Sequence, residues 1–314
     1  MNISYIIAAY ESPLQLRRLI SRLASQQVYF YIHIDKKVDI KPFFDALCDF
    51  ENVRFVSNDD RVKCRWGGIG IVLATLCCMR YVLEDKRDGR CVFISGQDYP
   101  IVSNAGIADF FQRNKTKNYI TCEPFPRQIW EIENGGWNRL NHYYYQLNDK
   151  KYAYVSLPSI WDPTFYKHFL GNVRRVGKLL VSGQLPHQIL KRRDISYVFS
   201  PYGGDAWWAL TINTLQKMIL FLDDNPEYLA FFGHVHVPDE IIFQTLARKL
   251  IPEDEILPCL TYTTWIEGGS SPCIFGEGDY AELKNLNGEF LFARKFSEGE
   301  DVTIMNMIDQ HLIS

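Results

Sequence analysis

Short apolar runs alternate with amphipathic stretches through the first hundred residues. Residues 3 to 9 are almost wholly apolar and read as a buried strand. Ser12 and Pro13 then open a helix whose stripe is Leu16, Leu19, Ile20 and Leu23, and residues 29 to 35 alternate as a second strand. The same rhythm predicts a helix near 41 to 49, a strand at 53 to 57 and a helix at about 69 to 84. A strand at 91 to 95 follows, ending in Gly96-Gln97-Asp98. Strands separated by helices pair in parallel, because a crossover returns the chain to the edge it left. In an open sheet of this kind a ligand lies outside the carboxyl ends of the strands. Ala8, Asp35 and Asp98 end three of these strands and are expected to share one crevice.

From about residue 115 the pattern is less regular. Strands at 118 to 122, 260 to 265 and 290 to 296 are expected to extend the sheet, with aromatic, glycine-containing loops between them, such as Trp130 to Trp137. Loops of that length commonly carry specificity. There is no internal repeat, low-complexity segment or Pro/Ser-rich linker, so the chain reads as one α/β domain over 1–314. Within it, about 1–115 is a nucleotide-binding subregion and about 116–314 an acceptor and catalytic subregion.

The 314 residues are 47% hydrophobic and 23% charged, the composition of an ordinary globular chain. A net charge of −3 offers no basic field for nucleic acid, whose binding rests on clustered Lys and Arg. Aromatic residues make up 14%, enough to spare some rings for sugar faces. The apolar start is too short to span a membrane and lacks a basic lead and a cleavage site. The eight cysteines show no CxxC pair and read as reduced thiols. A cytoplasmic location follows, with peripheral attachment to a membrane face left open.

Chemistry concentrates in the last third. His234-Val235-His236-Val237-Pro238-Asp239-Glu240 leads into an apolar-periodic helix with Ile241, Ile242, Leu246 and Leu250 inward. Pro238 suits a first helical turn, so Asp239 and Glu240 are expected at the positive end of the helix dipole, which favours an ionised carboxylate able to act as a general base. The alternative is two acidic residues decorating a helix start. Downstream, Cys273-Ile274-Phe275-Gly276-Glu277-Gly278-Asp279 precedes a short helix to Leu286 and a strand in which Arg294 and Lys295 alternate, one cation to each face.

The segments VPDEIIFQTL, CIFGEGD and LFARKF, preceded by VKCRWGGIGIVLATL and FISGQDYPI, occur in this order over roughly residues 3 to 300. Together they resemble family 14 of the glycosyltransferases, the core-2/I-branching N-acetylglucosaminyltransferases and peptide O-xylosyltransferases. The resemblance implies a GT-A-like nucleotide-sugar-binding fold with a mixed central sheet flanked by helices. It also implies inverting transfer from a UDP-sugar to a hydroxyl of a glycan acceptor, with N-acetylglucosamine ahead of xylose as the sugar. The family's base falls on Glu240 and its diphosphate-binding lysine on Lys295. Its second phosphate-contacting arginine falls near Ser270, where Arg294 is the substitute. Asp35 matches a nucleoside contact and Lys63 another donor-site position; a turn Asp35-Lys36-Lys37 and a solvated charge are their plain alternatives. No metal is expected, in keeping with the family and with the single carboxylate of Gly96-Gln97-Asp98-Tyr99, a poor cage for a divalent ion. Animal members carry an N-terminal Golgi span that is not read here, which suggests a bacterial protein.

Acceptor contacts are expected from Trp265 and Trp208 as stacking rings, Glu133 with Arg139 as hydrogen-bonding groups, and Asp205 after the Gly203-Gly204 turn. Adjacent Trp207 and Trp208 cannot share one face of a strand, so one of them belongs to the core. Two other functions fit parts of the pattern. His234 and His236 on a strand would share a face and could hold the metal of a hydrolase, although no third ligand stands at a recognisable spacing. A carbohydrate-binding protein would need the rings and no base.

Overall fold

The computed structural model describes residues 1–198, 200–265, 271–286 and 288–313. The N-terminal rhythm builds what its periodicity demands. β1 (Ile3–Ala9) and β2 (Val28–Ile34) lie parallel, joined by α1 (Pro13–Leu23), which buries Leu16, Leu19, Ile20 and Leu23. α2 (Lys41–Leu47) leads to β3 (Val53–Phe55) on one side of this pair, and α3 (Gly70–Glu84) leads to β4 (Arg90–Ser95) on the other. After β4 the chain turns out of the plane as β5 (Asp98–Pro100), and α4 (Asn104–Arg113) brings it back as β6 (Asn118–Ile120).

The second half is built of shorter pieces. β7 (Glu123–Pro124) pairs with β10 (Tyr202–Gly203); between them come α5 (Trp137–Asn141), a hairpin of β8 (His142–Gln146) and β9 (Tyr154–Pro158), and helices α6 (Pro163–Lys167) and α7 (Phe169–Val181). β11 (Trp208–Thr211) inserts antiparallel between β4 and β6. Helices α8 (Ile212–Asp224), α9 (Pro226–Phe232) and α10 (Ile242–Leu250) follow, then β12 (Ile256–Leu257) at the sheet edge. β13 (Thr261–Thr263), α11 (Tyr280–Asn285), β14 (Phe292–Arg294) and α12 (Thr303–His311) close the chain.

The result is a mixed seven-stranded sheet in the order β12-β6-β11-β4-β1-β2-β3. Helices cover both of its faces, so strands such as β1 and β2 are buried at nearly every position rather than on alternate ones. One expectation is corrected. β13 and β14 do not extend this sheet but form a second one, β13-β14-β5, in which Arg294 stands opposite Asp98. The cause is the turn after Ser95, which carries β5 away from the main sheet and leaves its edge for β14. Among the described residues all eight cysteines are free, and no helix is long and apolar enough to cross a membrane.

Candidate functional site

The segment predicted as one helix from Pro238 is divided. Pro238–Glu240 is a single 3-10 turn, Ile241 breaks from helical angles at φ −131°, and α10 begins at Ile242. Val237 before it is left-handed at φ 49°, an uncommon state for a β-branched residue, and its amide is fixed by the Gly67 carbonyl at 2.8 Å. Glu240 therefore lies ahead of α10 rather than inside its first turn.

A guanidinium, not the helix, answers its charge. Arg139 Nη1 donates to Glu240 Oε2 at 2.8 Å and Arg139 Nε to Glu133 Oε2 at 2.5 Å, while Glu133 Oε1 meets His236 Nδ1 at 3.0 Å. The Arg139 guanidinium also lies 3.8 Å above the Trp130 ring, and His236 stacks on Tyr144 and Tyr154. Gly67 permits this close packing: a Cβ there would stand 3.0 Å from the His236 ring, and its φ of +73° suits glycine.

The protonation expected for Glu240 changes accordingly. Burial raises its pKa, the Arg139 charge lowers it and Asp205 raises it again, with a net upward shift. Asp239 is pushed up to about 7, first by burial and then by Glu240 beside it. The helix-dipole part of the sequence reading is corrected, because α10 starts two residues later and burial shifts the Glu240 pKa upward. A base shifted toward neutrality is better matched to taking a proton from a hydroxyl. Glu240 nonetheless keeps 28% of its side chain open, so a ligand can reach it.

Asp205 reaches the same place through Gly204. The Gly204 amide donates to the Glu240 carbonyl at 3.0 Å, and a Cβ on Gly204 would collide with the Thr121 carbonyl oxygen at 1.8 Å. Asp205 is half-exposed, 3.9 Å from Arg127 Nη2. Trp208 is corrected: it is 2% exposed, packed between Phe93 and Phe243 as core of β11. Its neighbour Trp207, partly buried against the same Phe93, lies 4.7 Å from the Arg294 guanidinium. Trp265 is exposed, as a stacking ring would be.

The other wall is basic. Arg294 Nη1 bonds Ser95 Oγ at 2.6 Å and Asp98 Oδ1 at 3.3 Å. Asp98 is fully buried and also accepts from the Ser95 amide, so it braces the β4–β5 turn and cannot touch a ligand as predicted. Lys295, just past β14, is half-buried. Its pKa is lowered by burial and by Arg294, with Glu11 opposing and Lys151 adding to the shift. The Lys151 ammonium comes from the tip of the β8–β9 hairpin, 5.6 Å from the Trp66 ring and bonded to Ser271 Oγ. Ser270, where the resemblance loses an arginine, lies outside the described residues.

Asp35 directly follows β2. It is buried, accepts the Lys37 amide at 2.9 Å and pairs with Lys37 Nζ at 3.3 Å, the turn considered as its plain alternative. Ala8 is partly open beside it in sequence register with Ser95, and Lys63 is exposed. Burial pushes the Cys64 thiol up, and the charges of Asp35 and Asp239 add to the shift. Glu240 is tied through Arg139, Glu133 and His236 to Trp66, whose ring lies 5.6 Å from the Lys151 ammonium.

Several positioning residues escaped the sequence. Arg61 pins the Asp35 turn by donating to the carbonyls of Ile34, Asp35 and Val38. Gln15 ties the Gly96 turn to Phe296, one residue past Lys295. Neither has a local signature, since each acts through backbone carbonyls brought near by folding. His234 and His236 do not form a pair: His234 meets the Tyr144 carbonyl at 3.3 Å, whereas His236 turns to Glu133.

Comparison with known proteins adds the following. The family model described as "Branch: Core-2/I-Branching enzyme" matches residues 3–287. Human xylosyltransferase 2 is 24% identical over 99% of this chain and 34% of its own length, so the chain spans about a third of that relative. Bovine beta-1,3-galactosyl-O-glycosyl-glycoprotein beta-1,6-N-acetylglucosaminyltransferase is also 24% identical, over 99% of this chain and 69% of its own. Among solved structures, 4-diphosphocytidyl-2C-methyl-D-erythritolsynthase from Anaerococcus prevotii DSM 20548 aligns over 82% of this chain and 86% of its own, at a TM-score of 0.36 and 14% identity.

Proposed function

The chain belongs to the core-2/I-branching enzyme family, and from that premise we propose that it is an inverting glycosyltransferase of GT-A-like architecture acting on a UDP-sugar and a glycan hydroxyl. Glu240 accepts the proton of the acceptor hydroxyl. The freed oxygen attacks the anomeric carbon, the bond from that carbon to the diphosphate oxygen breaks, and UDP leaves against Lys295 and Arg294. A single displacement inverts the anomeric centre. Arg139 holds the Glu240 carboxylate in place and keeps its pKa from rising further. Glu133, Asp205 and Trp265 are the acceptor-side groups of this reading, and Ala8, Asp35 and Lys63 line the nucleotide side.

The observation that carries the proposal is an accessible carboxylate of raised pKa held by Arg139, beside which the chain supplies Arg294 and a half-buried Lys295 as cations for a diphosphate. Cations in that position can answer the leaving diphosphate without a metal ion. UDP-N-acetylglucosamine is placed ahead of UDP-xylose on the motif resemblance; the two relatives, equal in identity, bear names of both kinds. A thermal-shift screen of nucleotide sugars in EDTA tests the reading. At about a hundred times its dissociation constant the right donor adds roughly 2.7 kcal/mol of stability. A shift that requires a divalent ion, or that follows the sugar and ignores the uridine diphosphate, overturns it.

A further inference from the structure

Residues 160–193 hold seven Lys and Arg and one acidic residue, Asp162, in a chain whose totals are 34 and 37. They include α6 and α7, packed against the β8–β9 hairpin over a small core that contains Tyr143, Leu157, Phe165 and Leu179. A surface helix normally turns its apolar stripe inward. α7 does the opposite. Only Asn172, Val176 and Leu179 face the core. At about 100° per residue, Phe169, Val173 and Leu180 align along one side and Leu170 and Val181 beside them. All five are exposed, Leu170 to 77% and Val181 to 92%. Arg174 and Lys178 come next around the helix, edging the stripe with charge. Trp161 and Tyr166 are exposed on the adjoining segment.

A second copy of the chain is a poor cover for this face. A two-fold contact opposes identical surfaces, so it would bring one basic edge against another. An anionic bilayer satisfies both halves, its acyl boundary taking the apolar stripe and its phosphates the flanking cations. Trp and Tyr are the rings that settle at headgroup depth. Among the described residues no ion pair engages Lys167, Arg174, Lys178 or Lys191, which leaves their charge available. Beside the start of α7 a groove of about 620 Å³, lined in part by Lys167 and Arg175, continues the cationic side.

We propose that α7 docks this protein on an anionic phospholipid surface, lying in the interface plane without crossing it. The inference is independent of the transfer reaction. β8 links this surface to the crevice, since the Tyr144 amide donates to the His234 carbonyl at 2.8 Å and its ring stacks on His236.

Flotation of the full chain with vesicles of phosphatidylcholine, with and without about 30 mol% phosphatidylglycerol, tests the proposal. Partition onto the anionic vesicles is expected to be at least about tenfold stronger and to fall with added salt. Leu170→Glu with Val181→Glu removes it, and Arg174→Glu with Lys178→Glu lowers it about tenfold or more, with thermal melts unchanged because all four side chains are exposed. Absence of anionic partition, or equal partition onto both vesicles, overturns the proposal. So does a dimer in sedimentation that is lost with the Leu170 and Val181 changes, which would assign the face to self-association. Should a variant fail to fold, the lipid and salt comparisons on the unaltered chain still decide.

Discussion

The wall that holds Glu240 and the wall that holds Lys295 answer their charges differently. On the first, Glu240, Arg139, Glu133 and His236 bond each other in series, and aromatic rings enclose the series. On the second, Arg294 is answered by Ser95 and Asp98, but Lys295 forms no ion pair among the described residues. A closely bonded network fixes one geometry, which suits a group that must meet one proton. Unanswered cations leave a positive potential, which suits an anionic ligand that arrives and departs.

The contrast breaks most directly at Glu240. Glu240→Gln is expected to cut turnover by roughly 10² to 10⁴ while UDP affinity, read by calorimetry, stays within about twofold. Equal losses in both would mean that the walls are not separate in function. The basic wall divides further. Arg294→Ala removes the partner of a fully buried carboxylate, so chemical denaturation should report a loss of about 3–5 kcal/mol besides weaker UDP binding. Lys295→Ala should spare stability and weaken UDP by about 1.5–3 kcal/mol, the worth of a charge-assisted contact.

Smaller effects lie in pH. Arg139 lowers the Glu240 pKa, so Arg139→Met should move the acid limb of the rate profile to higher pH. Asp239, raised to about 7 when folded, holds a proton that the unfolded chain has already lost between about pH 4 and 7. Its stabilising share is therefore full below the ordinary carboxylate pKa and lost as pH rises through 7. Asp239→Asn should flatten that part of the stability curve, as thermal melts across pH would record.

The parallel core was legible because each strand and helix there carries its own periodicity, and β1, α1 and β2 appear within a residue of where that periodicity places them. The motif at Glu240 was legible for a similar local reason, the sequence that opens α10. The helix was nonetheless read as continuous, since nothing in Val237-Pro238 announces a left-handed residue held by Gly67. Of the two adjacent tryptophans, alternation said that one is core but not which; the partners of β11 decided that it is Trp208. Asp98 looked like a crevice residue because it follows a strand end, and it proved to be the buried brace of Arg294.

Sequence alone thus determined the layered α/β scheme, the family and the carboxylate to examine, all written in patterns a few residues long. Tertiary structure alone decided which charges meet. Arg139 and Glu240 stand 101 residues apart, and Arg294 and Ser95 stand 199 apart. A pairing of that kind leaves no periodic trace in the chain, because it depends on the strand order and on the path of loops rather than on any neighbour in sequence.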